Sequence, residues 1–78
     1  MIATMSDLVE LTKARALIDS AALSVRKAAG LSLGDIAGAL NVDPSTVWRW
    51  ERGERIPRNA AVAISYAQLL RDLIEGMR

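Results

Sequence analysis

The segment from Leu33 to Gly53, LGDIAGALNVDPSTVWRWERG, leaves this chain little choice of local structure. Ile36, Ala37 and Leu40 are apolar at helical spacing, and Asn41-Val42 interrupts them. Asn tolerates the left-handed conformation that a tight turn requires. Asp43 can cap a second helix, and Pro44 suits its first position, where a missing N–H costs nothing. Val47 and Trp50 then point inward, and Gly53 closes the segment. The spacing predicts two short helices across residues 33–53, joined by a turn of three or four residues and packed through their apolar sides.

The flanking regions read as further helices. Met1 to Met5 is expected to be a flexible end, and residues 6–78 a single domain. Ser6 or Asp7 can cap a first helix, with Glu10 three residues after Asp7. No Gly or Pro follows until Gly30, so this is one long helix or two with a bend near Asp19-Ser20. Leu11, Ile18, Ala22, Val25 and Ala29 form its apolar stripe, with Leu8, Val9, Leu17 and Leu23 off it. Ser32 and Asp35 have the spacing of a capping box. Asn59 can cap a last helix from Ala60 to about Met77, whose apolar face is Val62, Tyr66, Leu69, Leu70 and Leu73. No strand-like alternation occurs. The expectation is an all-α compact bundle of four to five helices.

Composition narrows the chemistry. The chain has 78 residues with neither Cys nor His, which removes disulfides, thiolate metal sites and imidazole bases. No enzyme, metal or cofactor is expected, and no small-molecule ligand is evident. No apolar run approaches a membrane span, so a soluble, cytoplasmic protein is expected. The net charge of +1 argues against a broad basic coat. Yet Arg49, Arg52, Arg55 and Arg58 face only Glu51 and Glu54 within one short stretch. Arg is the residue suited to bidentate contacts with phosphate or guanine.

On a helical wheel Val47, Trp50 and Glu51 share one side of the second motif helix, and Ser45, Arg49 and Arg52 the other, flanked by Thr46 and Trp48. A helix fits the major groove of DNA, where Arg can bond guanine N7 and O6 and Ser several bases. Two readings of Trp48 stand at this point: an aromatic partly covered by the last helix, or a contact with deoxyribose or a thymine methyl. Trp50 reads as core.

The joint pattern of Arg26–Ser32 (RKAAGLS), Ile36-Ala37, Leu40, Val42, Ser45-Thr46-Val47 and Trp50-Glu51-Arg52-Gly53, followed by Pro57, resembles the lambda-repressor/Cro (XRE-type) helix-turn-helix family. The resemblance runs from about Ile18 to Leu73. It implies a lambda repressor-like bundle that binds double-stranded DNA, most often as a homodimer regulating transcription. A small repressor or Cro-like regulator of a phage, prophage or plasmid is the expectation. Ser45, Trp48 and Arg49 would then face bases, and Ser32, Thr46, Arg52, Arg55 and Arg58 the DNA backbone. Ala37 would pack where the motif helices cross, and Arg26 would pair with Glu51. Ile64, Ile74 and Met77 are candidates for a dimer contact, with Leu8 and Leu17 as further surplus apolar residues. The chain departs from the pattern at Leu33, where a polar residue is common, at Asn41, which replaces a turn Gly, and at Asp43-Pro44. An excision or replication accessory factor using the same motif, or an antitoxin-like protein-interaction module, remain the alternatives.

Overall fold

The computed structural model describes residues 4–78, which fold as four helices: α1 (Met5–Ala28), α2 (Leu33–Leu40), α3 (Pro44–Glu51) and α4 (Ala60–Gly76). The helix boundaries follow from caps. The Thr4 hydroxyl accepts from the Asp7 N–H, and the Asp7 carboxylate accepts from the Thr4 N–H, both at 3.1 Å. That reciprocal pair starts α1 ahead of Ser6 and Asp7, the caps expected from sequence. Thr4 is thus the N-cap and Met5 the first residue of α1, while Met1–Ala3 of the expected flexible end lie outside the described residues. Ser32 and Asp35 repeat the device at α2, at 3.0 and 2.8 Å. Asp43 caps α3 with Pro44 in its first turn, and Asn59 caps α4.

The first three helices end in the same way. Gly30, Asn41 and Gly53 all take positive φ, at 71°, 56° and 75°. The next N–H then turns back onto a carbonyl of the preceding helical turn: Leu31 onto Arg26, Val42 onto Ala37, Glu54 onto Arg49. Those bonds satisfy carbonyls that a helix end would otherwise leave open. Asn41 achieves the left-handed turn that a Gly could supply, with ψ at 46°.

The core lies where α1 and α4, the two long helices, pack on the α2–α3 pair. Ile18, Ala22 and Val25 are buried from α1, Ile36 and Ala37 from α2, Val47 and Trp50 from α3, and Tyr66 and Leu70 from α4. Ala14, Ala63 and Ala67 are buried as well, although the apolar stripes drawn from sequence omit them. Small side chains let α1 and α4 approach closely. Leu11 and Ala29, expected in the core, are only half-buried, and so are Leu40, Val62, Leu69 and Leu73. α1 is a single helix without a break at Asp19-Ser20.

Burial ranks the motif's apolar residues. Ile36 is 1% exposed, whereas Leu40 keeps part of its surface beside Ala61, Val62 and Ser65. Ile36→Ala should lower unfolding free energy by about 2–5 kcal/mol. Leu40→Ala should cost clearly less, because truncating a half-exposed side chain leaves a dent rather than a cavity. Urea unfolding followed by helical circular dichroism gives both values; equal losses would contradict the assignment.

Candidate nucleic-acid interface

The orientation of α3 is set from its buried side. Arg26 Nε donates to Glu51 Oε2 at 2.6 Å, and Nη2 to Oε1 at 2.9 Å. The remaining nitrogen, Nη1, donates to the Leu31 carbonyl at 3.0 Å. The Glu51 side chain is 3% exposed and that of Arg26 14%. One guanidinium therefore ties the end of α1, the following loop and the end of α3 together. Its pKa is raised above the usual value, chiefly by the hydrogen bonds to Glu51. Trp50 packs against Tyr66 with ring centroids 5.6 Å apart and planes tilted by 39°. Burial, then the nearby Glu51 charge, pushes the Tyr66 phenol far above its ordinary value, so the hydroxyl stays neutral.

With Val47, Trp50 and Glu51 turned inward, the opposite side of α3 is free. Ser45, Trp48, Arg49 and Arg52 are exposed, and Thr46 is half-buried. Asp43 Oδ1 accepts from the Ser45 N–H at 2.8 Å and from the Ser45 hydroxyl at 2.6 Å. Trp48 is 42% exposed, and the Arg52 guanidinium lies 4.4 Å from its ring centroid. The same guanidinium pairs with Glu54 at 2.8 Å. Trp48 thus presents a broad apolar surface whose rotamer is steadied by a cation–π stack.

The loop after α3 adds to this face. Pro57 is fully buried, and its carbonyl accepts from Arg15 Nη2 of α1 at 3.3 Å. Ile56, by contrast, is exposed. Anchored through Pro57, the loop brings Arg55 and Arg58 beside Arg49 and Thr46 around one open concavity of about 240 Å³. None of these three arginines forms an ion pair among the described residues, where the pairs are Arg26–Glu51, Arg52–Glu54 and Arg78–Glu75. Ser32 lies apart from that concavity, exposed at the start of α2, with its oxygen accepting from the Asp35 N–H. The sequence pattern includes Pro57 but gives no sign of its bond to Arg15. A Pro flanked by Ile56 and Arg58 was the available signal for the anchor itself.

The profile of the helix-turn-helix domain family matches residues 24–72, more than half of the chain. The chain belongs to the helix-turn-helix domain family. The matched span takes in the end of α1, both motif helices, the arginine loop and most of α4. No curated protein and no solved structure matched the chain. Family membership points to DNA binding, and among the described residues no helix is long and apolar enough to cross a membrane.

The Arg26–Glu51 pair gives a sharp expectation. Arg26→Met leaves the Glu51 carboxylate buried without a partner, which should destabilise the domain by about 3–5 kcal/mol. Adding Glu51→Leu should restore most of the loss, because the unpaired charge rather than the missing pair carries the cost. A double variant no more stable than Arg26→Met in thermal unfolding would contradict this.

Proposed function

We propose that this protein is a sequence-specific double-stranded DNA-binding regulator, a small repressor or Cro-like protein that inserts α3 into the major groove. The observation that carries the reading is the division of α3 itself. Its inner side is consumed by core packing and the Arg26–Glu51 fork, and its outer side exposes Ser45, Trp48 and Arg49. An exposed Arg49 suits bidentate bonding to guanine, and the exposed Trp48 surface suits a thymine methyl or deoxyribose. Arg55 and Arg58, with Thr46, border the concavity beside α3 and suit the phosphates at the groove wall. Ser32 and Arg52 are the remaining backbone contacts in this arrangement. Arg52 keeps N–H groups beyond the one held by Glu54.

A face this small buries limited DNA surface, so we assign the active form as a homodimer. A twofold axis would set two α3 helices about 34 Å apart, in successive major grooves. Met77 is exposed, while Ile64 and Ile74 pack against the core and are only half-buried, so the C-terminal end of α4 offers the surface for that contact. Control of a phage or plasmid gene is the setting that the motif suits.

Two substitutions separate base reading from backbone anchoring. Arg49→Ala should weaken binding to the preferred duplex by about 1–3 kcal/mol and relax the preference at one base pair. Arg55→Ala should weaken all sequences alike and reduce the salt dependence by about one unit of slope. Fluorescence anisotropy over a salt series, on a duplex recovered from random DNA, reads both. Unchanged binding by folded Arg49→Ala would overturn the base-reading role, and failure to recover any preferred duplex would favour the protein-interaction alternative.

A further inference from the structure

The first turn of α3 carries a hydrogen-bonding pattern that restricts which bases it can accept. The Ser45 hydroxyl has one proton, and the 2.6 Å bond to Asp43 Oδ1 uses it. Ser45 Oγ then has only lone pairs to offer. Asp43 Oδ1 is occupied by two donors, but Oδ2 takes no hydrogen bond among the described residues and stands at the exposed start of the helix. The carboxyl is held below the ordinary aspartate value, first by the Ser45 hydroxyl, then by the Ser45 N–H, with a further contribution from the Arg49 charge. It is ionised at neutral pH. The Asp43–Ser45 side-chain pair is therefore acceptor-only, and Arg49, little more than one turn further on, is donor-only.

In the major groove, guanine and thymine present acceptors alone to hydrogen bonding, whereas cytosine N4 and adenine N6 present an amine. A carboxylate and a proton-spent hydroxyl set against guanine O6 or thymine O4 would face acceptor with acceptor. Building on α3 as the groove-facing helix, we infer that Asp43 and Ser45 read an exocyclic amine, cytosine N4 or adenine N6, within a few base pairs of the guanine read by Arg49. The unfavourable contact with guanine or thymine makes Asp43 a specificity-determining residue as well as a helix cap. A carboxylate near the phosphates lowers general affinity, so its value lies in discrimination.

Selection of bound duplexes from random DNA tests this, run in parallel with wild type, Arg49→Ala, Asp43→Asn and Asp43→Ser. Asn and Ser cap helices as Asp does, so both variants keep α3 while adding a donor. Arg49→Ala locates the guanine by the preference it removes. At a second position the wild type should recover cytosine or adenine, which the selected base itself distinguishes, over guanine and thymine by about tenfold. Asp43→Asn and Asp43→Ser should readmit guanine and thymine there and leave the Arg49 guanine in place. Wild-type preferences retained by both variants would overturn the inference and leave DNA reading standing. So would tighter binding to every sequence with preferences unchanged, which marks Asp43 as a repulsive charge only. No preferred sequence for the wild type would overturn the inference together with the DNA-binding reading.

Discussion

The guanidinium–carboxylate fork between Arg26 and Glu51 is the constraint on which the placement of α3 depends. α3 has eight residues, too few to hold a conformation or a direction by its own hydrogen bonds. Its position comes from what grips its inner side. A buried charge pair stabilises only when its geometry is good and its remaining donors are satisfied. Here both carboxylate oxygens are engaged, and the third guanidinium nitrogen reaches the Leu31 carbonyl. Three segments converge on one planar group, so α3 can rotate little about its axis without breaking charged hydrogen bonds in a nearly dry setting.

Function follows from that fixed rotation. Once Val47, Trp50 and Glu51 are committed inward, the helical period leaves Ser45, Trp48, Arg49 and Arg52 on the outer side. The loop is held by a different anchor, buried Pro57 with its carbonyl bonded to Arg15, and it delivers Arg55 and Arg58 to the edge of the same face. The net charge of +1 gives little general attraction for DNA. What the chain has instead is positive charge gathered in one place, with Arg49, Arg55 and Arg58 in no ion pair among the described residues. On the proposed reading, recognition relies on geometry at the groove more than on long-range electrostatics.

Much of this was legible in the sequence because the governing signals are local. Capping at Ser32, Asp43 and Asn59, the left-handed turn at Asn41 and the stops at Gly30 and Gly53 each depend on a few adjacent residues. The inner and outer sides of α3 follow from helical periodicity. What was not legible depends on how distant segments meet. Ala14, Ala63 and Ala67 are buried because α1 and α4 approach closely there, and an alanine shows no sign of this in a pattern of large apolar residues. The half-burial of Leu40 depends on where α4 begins. The Thr4 cap was missed because Ser6 and Asp7 offered equally good local chemistry. At the site, the arginines were visible as a cluster, but the Arg15–Pro57 anchor joins residues 42 positions apart. The Ser45–Asp43 bond needed side-chain rotamers that sequence does not specify.

The central claim is that DNA meets the outer side of α3 and the adjoining arginine loop. Nitrogen-15 amide shifts, followed as a duplex recovered by selection is titrated into labelled protein, test it most directly. The account predicts the largest shifts at Asp43, Ser45, Thr46, Trp48 and Arg49, with a second group at Arg55 and Arg58. Shifts confined to α4 or the first turns of α1, with α3 unaffected, would contradict it.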